Sequence, residues 1–254
     1  MSEGKMGGPS KPQKDEIFAE PQPKIADFNF GKKTSEVFDD MLNRSVPFYG
    51  EIQRMISELV ADFAQESTQI YDLGCSTCYS FVSIDQYLPE KLDVQFIGID
   101  SSEEMLNKAR QKLTDQKFAR RYELQCADLD KGVHVVNASV VMLILTLQFV
   151  RPLYREQLIE TIRQGMTDNG CLILVEKVLG ENSTFNRLFI NHYYDMKRRN
   201  GYSEMEIAQK REALENVLIP YRLEENKQLL YKTGFKHVEV FFKWYNFCGI
   251  IALN

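Results

Sequence analysis

The most constraining feature of this chain is an alternation of short apolar segments with amphipathic segments, which begins near residue 69. The amphipathic segments at 80–87 and 153–165 are typical of helices. Since strands joined by helices pair in parallel through right-handed crossovers, the pattern predicts an α/β protein with a mainly parallel sheet. The predicted strands of this region are residues 69–74, 94–100, 122–126, 138–145 and 171–175.

Residues 138–145 are almost entirely apolar, as expected of a strand covered on both faces. Before the fifth strand, Asn169 and Gly170 predict a turn. After the second strand, Ser101 and Glu104 predict a capping box that starts the next helix.

The N-terminal third is predicted to be helical after a flexible tail. A single apolar stripe over residues 52–63 predicts the strongest helix of the chain, and residues 36–42 form a shorter amphipathic segment. Residues 1–23 are rich in Gly, Pro, Ser and Lys and have no apolar period. We therefore expect a tail at 1–23 and one domain at 24–254.

The last third departs from the strand–helix alternation. Residues 181–200 and 203–217 predict two consecutive helices, which form a helical insert at about 181–217. A helix at 223–233 then precedes two strands, 237–245 and 247–253, that are close enough to pair as an antiparallel hairpin.

Composition excludes several classes of protein. The 254 residues carry 31 Lys and Arg against 36 Asp and Glu, a formal charge of −5, so stable nucleic-acid binding is not expected. The longest apolar stretch, residues 140–150, is too short to cross a bilayer, and no membrane association is expected. An odd number of cysteines, five, suggests reduced thiols and a cytoplasmic location.

A glycine and two acidic residues stand at or just after the ends of the first three predicted strands. Gly74 ends the first strand, and Asp100 ends the second. In such sheets ligands bind beyond the carboxyl ends of the strands, where the strand order reverses. An acid at the position of Asp100 can accept hydrogen bonds from both ribose hydroxyls, and Asp128, after the third strand, is placed to meet the amine of an adenine.

The dinucleotide fingerprint is absent, because Ser76 and Tyr79 occupy positions where it needs glycine. A ligand that has a ribose but no phosphate fits better, and S-adenosylmethionine (SAM) is the common one. The simpler alternative is that Asp72 and Asp100 are solvated acids at strand ends.

Further motifs occur in the order found in one family. They are Arg44-Ser-Val-Pro47, Tyr71-Asp-Leu-Gly-Cys-Ser76, Thr146-Leu-Gln-Phe149, Glu176-Lys177, Asn200-Gly-Tyr-Ser-Glu204, Gln209-Lys-Arg211 and Leu214-Glu-Asn-Val217. Over about residues 28–253 the chain thereby resembles the carboxy-S-adenosyl-L-methionine synthases. The resemblance implies a Rossmann-like class I methyltransferase fold, with a seven-stranded mainly parallel sheet, a C-terminal antiparallel hairpin and a helical insert.

The resemblance also implies an activity. Members of the family are homodimeric transferases that make carboxy-SAM and phenylpyruvate from SAM and prephenate, without a metal. A partner enzyme then uses the product to modify the wobble uridine of tRNA. Apolar residues on the insert suggest a dimer interface, although packing within one chain explains them too; they are Phe185, Leu188, Phe189 and Tyr193.

The same resemblance assigns residues to the site. Arg211 is expected to bind the new carboxylate as the catalytic residue, and Lys210 beside it is expected to be exposed. The residues expected to bind SAM are Tyr49, Gly74, Cys75, Ser76, Asp100, Ser101, Asp128, Leu129 and Arg211. Gly74 to Ser76 would hold the methionine end, Asp100 the ribose, and Asp128 with Leu129 the adenine.

Two positions depart from the family. Cys78 replaces a glycine, and Ile144 replaces an asparagine that contacts the ligand. Two alternatives therefore stay open: a conventional SAM-dependent methyltransferase acting on a small acidic molecule, or a non-catalytic protein. Cys75 and Cys78 have metal-ligand spacing, but no second pair accompanies them, so zinc is not expected.

Overall fold

The computed structural model describes residues 14–254 and has a seven-stranded sheet at its centre, in the order β3-β2-β1-β4-β5-β7-β6. The strands are β1 (Thr68–Leu73), β2 (Val94–Asp100), β3 (Arg121–Cys126), β4 (Ala138–Ile144), β5 (Met166–Lys177), β6 (His237–Trp244) and β7 (Phe247–Leu253). The first five strands pair in parallel, and β7 pairs antiparallel with both β5 and β6. The predicted mainly parallel sheet and C-terminal hairpin are confirmed.

Eight α-helices are present in residues 14–254. They are α1 (Lys32–Ser45), α2 (Tyr49–Phe63), α3 (Tyr79–Asp85), α4 (Glu103–Asp115), α5 (Pro152–Gly165), α6 (Ser183–Arg199), α7 (Glu204–Leu214) and α8 (Leu223–Lys232). The consecutive helices α6 and α7 lie at the predicted insert. In the described part of the chain, no helix is both long and apolar enough to span a membrane.

Two apolar layers cover the sheet. On one face, α2 contributes Ile52, Ile56 and Val60, whose side chains are fully buried. On the other face, α5 contributes Leu158 and Ile159 to a separate core. Burial of each such side chain stabilises the domain by about 2 kcal/mol. Because helices cover both faces of the sheet, side chains that point to either face of a strand are buried.

The N-terminal segment requires a correction. Residues 1–13 of the predicted tail lie outside the described residues, but residues 14–23 pack against the domain. Asp15 is 2% exposed and Phe18 is 8% exposed. The backbone N–H of Gln22 also donates to Gln209 Oε1 at 2.7 Å. A buried carboxylate and a buried ring fix this segment, which composition alone assigns to a flexible tail.

Two local predictions are also wrong, and a third is too short. Ser102, not Ser101, caps α4, because its Oγ accepts from the backbone N–H of Met105 at 3.2 Å. Asn169 and Gly170 lie inside β5, which extends back to Met166 and pairs there with Ala138. The amphipathic segment predicted at 36–42 belongs to the longer helix α1.

Candidate active site

One cavity of about 260 Å³ lies at the carboxyl ends of β1, β2, β4 and β5. This is where the strand order reverses between β1 and β4, the usual place for a ligand in such a sheet. The predicted site residues that line it are Tyr49, Gly74, Cys75, Ser76, Asp100, Ser101, Asp128 and Leu129. The structure therefore brings together every predicted SAM-binding residue except Arg211.

Gly74 forms the tight turn after β1 that a side chain would block. Its φ is +82°, and a Cβ there would lie 2.3 Å from Thr146 Oγ1 and 2.5 Å from Thr146 Cγ2. The N–H groups of Gly74 and Cys75 both donate to the carbonyl of Ile99, at 2.7 and 3.0 Å. Glycine is required because the backbone must pass directly under the loop that follows β4.

The two departures from the family have different structural consequences. Cys78 has a φ of +55° and is fully buried, and it does not line the cavity. A glycine adopts this left-handed conformation freely, whereas another residue is strained by about 1–2 kcal/mol. Ile144 does line the cavity, at the end of β4. The Cys78 departure therefore affects the backbone, and the Ile144 departure changes the surface that faces a ligand.

Asp100 connects the loops that follow β1 and β2. Its Oδ2 accepts from the backbone N–H of Ser76 at 2.9 Å, and its Oδ1 accepts from that of Ser102 at 2.8 Å. Burial raises the pKa of Asp100, and these backbone donors oppose the shift. Each oxygen keeps a free lone pair, so the carboxylate can still accept from a ribose.

Asp72 and Gln53 supply acceptors that are buried and unsatisfied. Within residues 14–254, neither Asp72 Oδ1 nor Gln53 Oε1 has a hydrogen-bond partner, and both residues line the cavity. The other oxygen of Asp72 accepts from the Ser80 hydroxyl. Burial raises the pKa of Asp72 to about 7. Because an unsatisfied buried acceptor is unfavourable, this part of the cavity fits a ligand that donates hydrogen bonds, such as an ammonium group.

Tyr49 begins α2 and is 7% exposed, and its hydroxyl accepts from Gln53 Nε2 at 3.0 Å. Burial raises its pKa above the ordinary tyrosine value. The hydroxyl proton of Tyr49 is therefore retained at neutral pH and is available to a ligand.

At the adenine end predicted from the sequence, Asp128 Oδ1 accepts from the backbone N–H of Asp130 at 3.0 Å. Its Oδ2 lies 3.6 Å from Nζ of the exposed Lys131 and retains lone pairs that can accept from a ligand. Ser101 also lines the cavity, and it is not committed to capping α4.

The prediction for the cationic residue requires a correction. Within one chain Arg211 is exposed and does not line the cavity, whereas Lys210 is 6% exposed and does. Helix α7 buries Ile207, Lys210 and Ala213, and a residue next to Lys210 is rotated by about 100° from it, which turns Arg211 outwards. Tyr193, for which both a dimer interface and packing within the chain were open, lies in the cavity wall.

Sequence analysis also missed a polar cluster that holds the loop after β4. The Glu176 carboxylate accepts from the backbone N–H groups of Leu147 and Gln148, at 3.0 and 2.8 Å. Gln148 Oε1 then accepts from the N–H of Lys177 at 3.0 Å. Burial raises the pKa of Glu176 to about 8, opposed by these donors and by Arg155. The Glu176-Lys177 motif was the available signal for this arrangement.

Similar proteins define the class of this fold. Residues 71–172 match a family described as a methyltransferase domain. The structure resembles a putative O-methyltransferase from Nostoc punctiforme, with a TM-score of 0.61, 16% identity and coverage of 87% of this chain and 59% of that one. It also resembles a SAM-dependent methyltransferase from Aquifex aeolicus, with a TM-score of 0.58, 14% identity and coverage of 89% and 99%. The predicted class I SAM-dependent methyltransferase fold is thereby confirmed.

Two curated relatives identify the family. A carboxy-S-adenosyl-L-methionine synthase from Methylococcus capsulatus is 55% identical over 241 residues, which are 95% of this chain and 99% of that protein. One from Helicobacter pylori is 44% identical over 229 residues, 89% and 93% of the two chains. The chain belongs to the carboxy-S-adenosyl-L-methionine synthase family, an enzyme family within the methyltransferase superfamily, and the predicted resemblance is confirmed.

Proposed function

We propose that this enzyme converts SAM and prephenate to carboxy-SAM and phenylpyruvate. The observation that carries the proposal is the single cavity that collects the eight predicted SAM-binding residues at the strand ends of a family member. The relatives give no support to the alternative of a conventional methyltransferase that acts on a small acidic molecule.

The cavity offers suitable partners for each part of SAM. The unsatisfied acceptors Asp72 Oδ1 and Gln53 Oε1 fit the ammonium of the methionine end, next to the open backbone at Gly74. Asp100 fits the ribose hydroxyls, and Asp128 fits the amine of the adenine. These carboxylates lie in a partly apolar cavity, which strengthens their attraction for a cationic sulfonium ligand.

The chemistry needs a closed site. Prephenate would lose carbon dioxide and hydroxide to give phenylpyruvate, and the hydroxide would take a proton from the SAM methyl group to give water. The resulting ylide carbon would attack the carbon dioxide, which forms carboxy-SAM and balances the reaction. Phe30, Phe149 and Phe247 line the cavity, and their apolar rings would help to keep out water that would protonate the ylide.

We further propose that the active form is a homodimer in which Arg211 binds the new carboxylate. Because Arg211 faces outwards in one chain, it can meet that carboxylate only in the cavity of a second copy. The exposed apolar residues Phe185 and Leu188 on α6, which are 57% and 45% exposed, support an interface on the same insert. Light scattering and activity of mixed wild-type and Arg211→Ala chains test both points.

We also propose a cytoplasmic enzyme that needs no metal and does not itself bind tRNA stably. Its substrate would be a small molecule, and its product would be used by a partner enzyme for wobble-uridine modification. The five cysteines are free thiols in the structure, which is compatible with a reducing compartment.

The direct test of the proposed function is mass spectrometry of the ligand that the purified protein retains, followed by turnover with SAM and prephenate. A retained SAM that is heavier by one carbon dioxide, and its formation with phenylpyruvate, are the expected results. Release of the demethylated product with a methylated acceptor would instead establish a conventional methyltransferase. Calorimetry that shows no SAM binding would favour a non-catalytic protein.

A further inference from the structure

Lys177 is a cation in the wall of the cavity that the predicted site did not include. It is the last residue of β5, and its backbone is fixed by hydrogen bonding to Gln148. Its Nζ lies 4.9 Å from the centre of the Tyr193 ring, and both residues line the cavity. The strand and the aromatic ring therefore place this ammonium group at the same end of the sheet as Asp72 and Asp100.

Two lysines line this cavity, and they differ in their partners. Lys210 Nζ is 3.4 Å from Asp15 Oδ2 and 3.3 Å from Ser45 Oγ, so its charge is already compensated. Among residues 14–254, no carboxylate lies within salt-bridge distance of Lys177 Nζ, and burial alone determines the shift of its pKa, to about 8. Lys177 is therefore the cavity cation whose charge is left without an acidic partner in the described chain.

The acidic and the basic side chains of the cavity lie on different strands. Asp72 and Asp100 end β1 and β2 and fit a cationic ligand, whereas Lys177 ends β5, on the other side of β4. A partly buried ammonium without an anion is unfavourable, and a carboxylate ligand relieves that cost. The aromatic face of Tyr193 restricts the Lys177 side chain and holds the ammonium for such a ligand.

We propose that Lys177 binds a carboxylate of the acidic carboxyl donor and thereby positions it beside the SAM methyl group. This inference rests on the proposed function and adds to it a residue that recognises the second substrate. The proposal gives Lys177 and Arg211 different roles. Lys177 recognises the donor, whereas Arg211 of a second chain is expected to recognise the carboxylate of the product.

Protonation of Lys177 provides an independent readout. Tyr193 and Lys197 on α6 lie close to Lys177. The cavity lining also includes the titratable groups of Lys210 on α7 and Asp72 on β1. Burial raises the pKa of Tyr193, which therefore stays neutral between pH 7 and 9. Lys197 and Asp72, with pKa values of about 7, change charge at a lower pH than Lys177. Donor binding should therefore weaken as the pH rises through about 8, where Lys177 loses its proton.

The experiment compares wild type with Lys177→Met and Lys177→Arg in steady-state turnover. We expect Lys177→Met to raise the KM for prephenate by about tenfold to a hundredfold, because one charge-assisted hydrogen bond is lost. The affinity for SAM, measured by calorimetry, should change by less than about threefold. Lys177→Arg should recover part of the loss. The fall in donor affinity above pH 8 should disappear in Lys177→Met.

Lys243→Met is the matched control, because Lys243 also packs on an aromatic ring, that of Phe189, but lies outside the cavity. It should leave both constants unchanged. An unchanged prephenate KM in Lys177→Met, or an equal loss of SAM binding, would overturn the role of Lys177 while the proposed function stands. If wild type forms no carboxy-SAM, the proposed function itself fails.

Discussion

Asp15 and Lys210 form a buried ion pair between segments that are 195 residues apart in sequence. Their side chains are 3% and 8% exposed, and Asp15 Oδ2 also accepts from the hydroxyl of Tyr202 at 2.6 Å. The backbone carbonyl of Asp15 accepts from Arg44 at 3.1 Å. The N-terminal segment is therefore fastened to α1, α7 and the cavity wall by one residue.

Asp15→Asn should destabilise the protein by about 3 kcal/mol, because removal of one partner leaves the other charge buried and unpaired. Urea unfolding at pH 7 measures the difference in the free energy of unfolding. Glu16→Gln, a change at an exposed neighbour, is the control and should cost less than about 0.5 kcal/mol. Equal stability of the two variants would show that Lys210 does not depend on Asp15.

Gly74→Ala should abolish SAM binding and destabilise the fold by about 2 kcal/mol or more. The new Cβ would overlap both Oγ1 and Cγ2 of Thr146, and alanine is strained at the left-handed φ of this position. Rotation of the Thr146 side chain cannot relieve the contact, since Oγ1 and Cγ2 both lie within 2.5 Å of the new Cβ and one of them would stay close in every rotamer. Calorimetry with SAM and thermal unfolding measure the two effects. Gly50→Ala, where a Cβ meets nothing within 4 Å, should keep wild-type affinity and stability.

Ile144→Asn should increase SAM affinity by about fivefold. The residue is partly exposed in the cavity wall, so an amide there can gain one hydrogen bond to the ligand, worth about 1 kcal/mol, at little cost to the core. Titration calorimetry measures the affinity, and Ile144→Leu should match wild type. A weaker complex with asparagine would mean that the ligand lies differently in this chain from other family members.

SAM affinity should rise about tenfold between pH 5.5 and 7.5, because Asp72, whose pKa is raised to about 7, becomes the anion that an ammonium needs. The pKa of Asp100 is also raised by burial, so the informative quantity is the difference between wild type and Asp72→Asn. That variant should bind SAM more weakly and with a flatter pH profile. Parallel profiles in the two proteins would contradict the role of Asp72.

The same raised pKa affects stability in the opposite direction. Between about pH 4 and 7 the folded chain holds a proton on Asp72 that the unfolded chain has released, so the contribution of Asp72 to the free energy of unfolding decreases as pH rises. Wild type and Asp72→Asn should therefore differ in the pH slope of thermal unfolding without ligand. A slope difference of the other sign would show that Asp72 is ionised in the folded state throughout.

Most strands could be predicted from the sequence because their apolar runs are covered on both faces. The bounds of β2 and β7 agree with the prediction, at Val94–Asp100 and Phe247–Leu253. The start of β5 could not be predicted, since Asn169 and Gly170 have the composition of a turn and only pairing with β4 keeps them extended.

Less of the site than of the sheet could be predicted from the sequence. Strand ends and family motifs identified eight residues that line one cavity, because the positions of those residues depend on local backbone. The orientation of Lys210 and Arg211 depends on which face of α7 packs inwards, and the apolar residues of that short helix do not form a clear stripe. Lys177 is a single cation at the end of a largely apolar strand. Only the three-dimensional structure shows that no carboxylate among residues 14–254 pairs with it.

The Asp15–Lys210 pair has a practical consequence for anyone who shortens the gene. The region that matches the methyltransferase domain family starts at residue 71, and composition would suggest trimming the first 23 residues. A protein trimmed in that way would carry the Lys210 ammonium in the cavity wall without its carboxylate partner, and would lose the contacts of Asp15 with Arg44 and Tyr202. Crystallisation or assay of such a fragment would therefore describe a damaged enzyme, even though the sheet itself is intact.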